Sequence, residues 1–382
     1  MTLPASIAAV SLAAIAVIWL GYPLSVWIVA RFTRSSSLAA AIDRSPANSR
    51  RVSVILATRD HADIVRARVE NLLSTDHPPD LIEIIVALDS ESAQCTVEEL
   101  NDVDARVLAI VGDSPGGKAS ALNAGVRVAK GEVLVLADAH QRYDARTIPE
   151  LVASLEDQRF GAVSGALQLG SEGARRSPVD WYWAMEKWLR HNEAHVHSSV
   201  GVTGAVYATR RALWPVIPAG TLLDDVFVPM SLVLSGHRVG FTYAARAFDV
   251  RTFDATNEGV RKTRTLTGVL QLRELLPDIL SVRRNPIAAQ FIAHKVLRLL
   301  TPALVAVLAA ALLVLLVQLA LLATVTQLLA VLSAIVILLI IPFTRRRIVA
   351  LAGWTVSLQM AATRAIMNGL GGRWSVWRKT GS

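Results

Sequence analysis

Four short apolar runs, Val52 to Thr58, Ile82 to Asp89, Arg106 to Val111 and Val133 to Asp138, recur along the first half of the chain with helical stretches between them. That alternation predicts β-α-β-α-β-α-β and a mostly parallel sheet with right-handed crossovers. The run Val133 to Ala137 is unbroken, as suits a strand buried on both faces. It ends abruptly in Asp138, with His140 two residues on. Past Arg146 the pattern changes. Thr147 to Leu155 reads as a helix, Gly161 to Leu169 as a strand kinked at Gly165, and Asp180 to His195 as an aromatic, amphipathic helix. Val200 to Thr209 reads as a strand opening on Gly201, Thr203 and Gly204, and Val226 to Leu234 as a helix interrupted near Pro229.

Longer uncharged runs flank this region. Ile7 to Ala30 and Leu299 to Pro342 contain no Asp, Glu, Lys or Arg. The first exceeds the roughly 20 residues that cross a hydrocarbon core of about 30 Å, and the second is long enough for two spans, with the turn at Thr324, Thr326 and Gln327. A signal peptide would want a basic start and a shorter apolar core, so the first run is expected to stay as an anchor. Arg31, Arg34, Arg44, Arg50 and Arg51 follow it directly, and Arg345 to Arg347 follow the later spans. Both clusters place the intervening domain in the cytoplasm. The predicted organisation is a transmembrane anchor at 1–34, a cytoplasmic domain at 50–268, interfacial amphipathic helices at 269–298, two transmembrane helices at 299–343, and a C-terminal interfacial or transmembrane segment at 344–382. The expected location is a cell inner membrane, multi-pass, with membrane lipids as direct partners.

Composition narrows the class. Of 382 residues, 53% are hydrophobic, too many for an ordinary soluble protein. Cys95 is the single cysteine, which excludes an internal disulfide framework and fits a reducing compartment. The net charge of +8 lies largely beside the apolar runs, where anionic lipid attracts it. No run of basic and aromatic residues argues for a nucleic acid partner.

The polar residues fall where strands end. Thr58, Arg59 and Asp60 close the first run, Asp89 and Ser90 the second, Asp113 the third, and Asp138 and His140 the fourth. Each acid alone is equally a helix cap or a turn residue. Four at the carboxyl ends of successive strands direct ligand groups to one crevice. Asp138 and His140 suit a shared divalent cation completed by phosphate oxygens. Ser114 to Lys118 opens a helix carrying Asn123 and Gly125; it is either a glycine turn or a phosphate cradle, and its spacing matches neither a Walker loop nor G-x-G-x-x-G. Asp224 and Asp225 are either a helix N-terminal pair or the site of a general base. Arg261, Lys262 and Arg264 form either a solvated surface or a clamp on a diphosphate. Trp181, Trp183 and Trp188 suit a core, a membrane interface or a floor for a sugar ring.

Taken in order, these motifs resemble the membrane-bound family 2 glycosyltransferases, the group containing cellulose, chitin and hyaluronan synthases and many bacterial polysaccharide and glycolipid transferases. The resemblance implies a GT-A fold, Rossmann-like with a mostly parallel sheet, and a nucleotide-diphosphate sugar donor, usually a UDP-sugar. It implies that Thr58, Arg59, Asp60 and Asp89 hold base and ribose, that Lys118 sits near the nucleotide, and that Asp138-Ala139-His140 stands at the D-x-D position engaging Mg²⁺ or Mn²⁺. Gly204-Ala205 with Arg210-Arg211 resembles the acceptor-side segment. Leu223-Asp224-Asp225 resembles the motif whose last acid is the base, which makes Asp225 the catalytic residue with Asp224 beside it.

Two departures stand out. His140 replaces the second acid of D-x-D, and Arg261-Lys262-Thr263-Arg264-Thr265 stands where polymerising members carry Q-x-x-R-W. The expected function is an inverting glycosyltransferase serving a lipid-linked or saccharide acceptor at the cytoplasmic membrane face. The alternatives are a processive polysaccharide synthase coupled to translocation and, from another class, a non-catalytic nucleotide-sensing scaffold.

Overall fold

The computed structural model describes residues 2–33, 50–100, 102–169, 178–249, 255–322, 327, 329–330, 332–333 and 342–374. The linker expected over 35–49, and the turn and most of the third span expected between 324 and 341, lie outside the described residues. In chain order the main elements are α1 (Leu3–Phe32), β1 (Val52–Thr58), α2 (Ala62–Leu73), β2 (Ile82–Leu88), β3 (Val107–Val111), α3 (Gly117–Val128), β4 (Val133–Ala137), β5 (Arg142–Tyr143), α4 (Thr147–Ser154), β6 (Phe160–Leu169), α5 (Pro178–Val196), β7 (Val206–Arg210), α6 (Asp224–Leu234), β8 (Arg238–Asp249), α7 (Ala255–Leu275), α8 (Thr301–Leu322) and α9 (Pro342–Leu370). They divide into two compact units, Ser25–Thr252 with Gln271–Phe291, and Met1–Leu24 with Phe253–Leu270 and Ile292–Ser382.

The first of these units is built on one sheet in the order β3-β2-β1-β4-β7-β6-β8-β5. The apolar runs occupy its centre because a strand with no polar alternation must be covered on both faces. Val54, Ile55, Ile84, Ile85, Leu134 and Val135 are all fully buried. The half from β3 to β4 is parallel as expected, with Val52 paired to both Ile82 and Val133. Four of the seven pairings are parallel, as expected, but beyond β4 the sheet is mixed. β7 runs antiparallel to β4 and β6, β8 is parallel to β6, and β5 is antiparallel to β8. β8 was not anticipated, because Ala244, Ala245, Arg246 and Ala247 blur its alternation. Gly165 marks a real irregularity, since the β6–β8 register shifts between Ser164 and Ala166. A Cβ there would stand 2.8 Å from the Ala245 carbonyl oxygen.

Gly131, just before β4, is held still more tightly: a Cβ would lie 2.4 Å from the Ser53 amide nitrogen and 2.6 Å from the Val52 carbonyl carbon. Its own N–H donates to Ser53 Oγ at 2.7 Å. Gly131→Ala therefore has to push β1 and β4 apart at their entry, and we expect a loss of about 1–3 kcal/mol, read as a lower thermal midpoint of the purified protein.

In the other unit α1 packs along α8. The helices Leu3–Phe32 and Ala288–Leu321 are each long and apolar enough to cross a membrane. α1 contains a π-helical turn at Val17–Gly21 just ahead of Pro23, where the missing proline N–H disturbs the regular ladder. Trp19 Nε1 donates to Thr301 Oγ1 at 3.2 Å, and the Arg298 guanidinium lies 4.6 Å over the Trp19 ring. From Ala288 the chain is helical, passing through a π-helical turn at Ile292–Val296 and a 3₁₀ turn at Leu297–Leu300 into α8.

Candidate active site

The carboxyl ends of β1, β2 and β4 carry the polar residues singled out above, and Lys118 links them to the start of α6. Lys118 Nζ donates to Asp138 Oδ1 at 2.8 Å and lies 3.5 Å from Asp224 Oδ2. Burial disfavours the ammonium, but the carboxylates of Asp138, Asp224 and Asp225 more than offset it, so the Lys118 pKa lies above that of an ordinary lysine. The residue remains charged at any physiological pH.

A Cβ at Gly204 would meet Asp225 Cβ at 3.4 Å and Lys118 Nζ at 3.6 Å. Gly204 thus faces both the proposed base and the lysine, and leaves the space between them open. Asp225 is the second residue of α6. Pro229 stands four residues on and has no N–H for the Asp225 carbonyl. The Val202 N–H takes that carbonyl instead, at 2.9 Å. The proline that was expected to interrupt α6 lies within a continuous helix, and it frees a backbone acceptor that ties the 200–204 loop to the acid pair. The expected strand from Val200 shrinks to β7, because its first six residues form this loop.

On the β1 side His140 Nε2 lies 3.2 Å from Asp60 Oδ1, and Thr58 Oγ1 donates to Asp60 Oδ2 at 2.8 Å. The hydrogen bond from His140, with that from Thr58, lowers the Asp60 pKa against the opposing effect of burial. Arg59 follows Thr58 directly and is half-buried. Asp89 Oδ1 accepts the Glu91 N–H at 3.0 Å and the Gly117 N–H at 3.2 Å, and Oδ2 accepts Ser92 Oγ at 3.0 Å. Burial opposes its ionisation, but these donors prevail and its pKa is lowered. Gly116 adopts φ +80°, a conformation natural to glycine, and a Cβ there would stand 2.9 Å from Asp89 Oδ1. Asp89 therefore fastens the loop that delivers Lys118.

Other expected residues lie elsewhere or serve the scaffold. Asn123 receives the Ile217 N–H at 3.1 Å and donates to the Ile217 carbonyl at 2.8 Å, which pins the 214–217 segment. Gly125 lets α3 approach β1, since a Cβ would meet Ile55 Cγ2 at 2.9 Å. Asp113 is held by Arg127 through two bonds of 2.7 and 2.9 Å. Arg210 pairs in register with Val133 at the far end of β4, and both Arg210 and Arg211 donate to backbone carbonyls. They hold loops at the opposite end of the strands from Gly204. Arg261, Lys262 and Arg264 lie on the stretch of α7 that belongs to the other unit.

Three residues were not anticipated. Arg68 is 2% exposed; its Nε donates to the Asp138 carbonyl at 3.0 Å, and its guanidinium lies 4.1 Å over the Tyr143 ring. A signal existed, because Arg68 interrupts the buried stripe Val65, Val69 and Leu72 of α2. Arg190 Nη1 donates to Thr203 Oγ1 at 3.1 Å, next to Gly204. The fully buried Tyr207 hydroxyl has no hydrogen-bond partner among the described residues; burial, and then the nearby Asp224, Asp225 and Asp138, raise its pKa.

Residues 53–213 match the family model for glycosyl transferase family 2. Over those residues, fewer than half of the chain, the sequence is similar to glycosyl transferase family 2. The match covers β1 to β7 and stops short of Asp224 and Asp225, which meet the matched stretch at Lys118, at Gly204 and through the Val202 N–H. A probable glycosyltransferase of Bacillus subtilis (strain 168), YdaM, is 27% identical over 125 residues, 31% of this chain and 30% of that protein. The aligned part is thus under a third of the relative's length. Among solved structures, the mannosyltransferase PcManGT from Pyrobaculum calidifontis, determined with GDP-Man and Mn²⁺, superposes with a TM-score of 0.67 at 21% identity. The superposition covers 96% of this chain and 99% of that one, and it establishes a shared GT-A fold around the glycosyltransferase domain.

Proposed function

We propose that the chain is an inverting glycosyltransferase that moves a sugar from a nucleotide-diphosphate donor to a lipid-linked or saccharide acceptor at the cytoplasmic face of a cell membrane. One observation carries the reading. On a GT-A scaffold, Lys118 is held 2.8 Å from Asp138 and 3.5 Å from Asp224, with Gly204 opening the space beside Asp225. A lysine at one helix start, set between a strand-end carboxylate and the acid pair at another helix start, suits displacement of a diphosphate from C1.

Asp225 takes the proton from the acceptor hydroxyl as its oxygen attacks the anomeric carbon. The bond between C1 and the diphosphate oxygen breaks on the opposite face, so the configuration inverts. Lys118 stabilises the charge that gathers on the departing diphosphate, and Asp60 and Asp89 hold the two loops that frame the nucleotide. Gly204 leaves room for the acceptor oxygen. The helices Leu3–Phe32 and Ala288–Leu321 support a membrane location, and Arg31 beside the first of them supports a cytoplasmic domain.

Among the described residues no group of three or more His, Cys, Asp or Glu converges to hold a metal ion. Asp138 and His140 still fit an ion completed by donor phosphate oxygens, and an imidazole with a carboxylate suits Mn²⁺ better than Mg²⁺. When bound, such an ion neutralises charge on the diphosphate. The resemblance of motifs favours a UDP-sugar, whereas the solved relative was crystallised with GDP-Man, so both donor classes belong in the test. Purified protein in lipid should release nucleoside diphosphate from one UDP-, GDP- or dTDP-sugar when Mn²⁺ and lipid extract are supplied. Nucleotide binding without release from any donor, under the same conditions, would overturn the proposal.

A further inference from the structure

The Lys118 ammonium occupies the carboxylate through which the proposed metal would enter. Its Nζ is 2.8 Å from Asp138 Oδ1, a charge-assisted hydrogen bond, and 3.5 Å from Asp224 Oδ2, with Asp225 among the acids that stabilise its charge. Asp138 is itself positioned through its backbone, since the buried Arg68 Nε donates to the Asp138 carbonyl at 3.0 Å. His140, the second donor, is turned to Asp60 Oδ1 at 3.2 Å. Both side chains expected on the ion therefore have protein partners. The ion has to displace a lysine from Asp138, and it has to do so against that lysine's positive charge.

We infer that Lys118 is the resident cation of this site and governs the order of loading: it keeps the divalent ion off Asp138 until a nucleotide diphosphate draws the ammonium away, so ion and nucleotide bind together. The inference rests on the glycosyltransferase reading above and adds a second role for Lys118. Lys118 is tethered at the second turn-forming glycine of the 116–117 loop, where Asp89 holds the Gly117 N–H. The Gly117 bond fixes the backbone at the start of the helix and leaves the lysine's four-carbon stem as the part that moves, and no side chain at Gly204 stands in its way. A diphosphate carries more charge than one carboxylate and offers the ammonium several oxygens, so it competes successfully for Lys118. Asp138 Oδ1 is then released at the moment the phosphate oxygens that complete the ion's coordination arrive. Affinities of ion and nucleotide must rise together, by the same factor in either order of addition.

The test is titration of Mn²⁺ followed by the electron paramagnetic resonance of the free ion, with GDP and UDP as probes, in wild-type, Lys118→Met and Lys118→Arg proteins. Removing the charge should raise the donor-free affinity for Mn²⁺ by about tenfold or more. It should also shrink the factor by which GDP or UDP strengthens Mn²⁺ binding, because that factor no longer includes release of Asp138. Lys118→Arg keeps the charge and should show no gain. Lys118→Gln serves the same purpose if the methionine variant does not fold. Equal or weaker Mn²⁺ binding in a folded, uncharged variant would overturn the inference while leaving the proposed transfer reaction standing. Failure of the wild type to bind Mn²⁺ even with GDP or UDP would remove the metal from the proposed function and the inference with it.

Discussion

Asp225→Asn should lower sugar transfer by about 10²–10⁴-fold, the range spanned by loss of a general base, while the affinity for nucleoside diphosphate stays near wild type. The substitution is nearly isosteric. It leaves the Asp225 backbone carbonyl bonded to the Val202 N–H at 2.9 Å, and the Lys118 contacts to Asp138 and Asp224 do not involve the altered side chain. The fold and the nucleotide end of the site should therefore survive, and the loss should appear in kcat with little change in donor KM. Parallel measurements of transfer and of nucleotide binding by calorimetry check this. A nucleotide-sensing scaffold would lose nothing in either measurement, so the same variant separates the two classes of function. Asp224→Asn should be milder for chemistry and should weaken the hold on Lys118, since Asp224 Oδ2 is the lysine's more distant contact.

The second large effect is expected at Asp138. Asp138→Ala removes the nearest partner of Lys118 and the anionic ligand proposed for the metal, and should cost about 10²–10³-fold in kcat/KM for the donor, the several kcal/mol that such an ion contributes. The Arg68 bond to the Asp138 carbonyl is retained in the variant, so the strand end keeps its place. His140→Asp supplies the informative contrast. It replaces a borderline nitrogen donor with a hard oxygen, which should shift activity from Mn²⁺ toward Mg²⁺. Turnover of one donor across both metals, for wild type and both variants, tests the pair. Equal donor use by Asp138→Ala and wild type would remove Asp138 from the mechanism.

The parallel half of the sheet was legible because its strands are continuous apolar runs, and continuity has one structural meaning when both faces are covered. The site residues at those strand ends were legible for the same reason: an acid that stops such a run must lie at the sheet edge. Past β4 the reading failed where the signal is not periodic. The 200–204 loop read as the start of a strand because Val200 and Val202 alternate with Gly201 and run on toward β7, yet it meets α6 through the Val202 N–H. β8 was hidden by its small residues. An antiparallel β7 sends Arg210 and Arg211 away from Gly204, and strand direction is a property of the sheet's pairing, not of the residues. Asp89, expected at the base and ribose, also fastens the loop of Gly117, a second task that the chemistry of a carboxylate does not announce in advance. Arg68 and Pro229 carried local signals, an arginine on a buried stripe and a proline four residues after an acid, whose meaning depends on the element that packs against each.

The most direct test is a structure of the protein with the nucleoside diphosphate of its donor and Mn²⁺, read from the anomalous scattering of manganese. The predicted result is a manganese peak within coordinating distance of Asp138 and His140, the diphosphate against Lys118, and the lysine no longer on Asp138. A nucleotide seated away from Lys118 and Asp138, or manganese held by other residues, would contradict the assignment of this crevice as the site of glycosyl transfer.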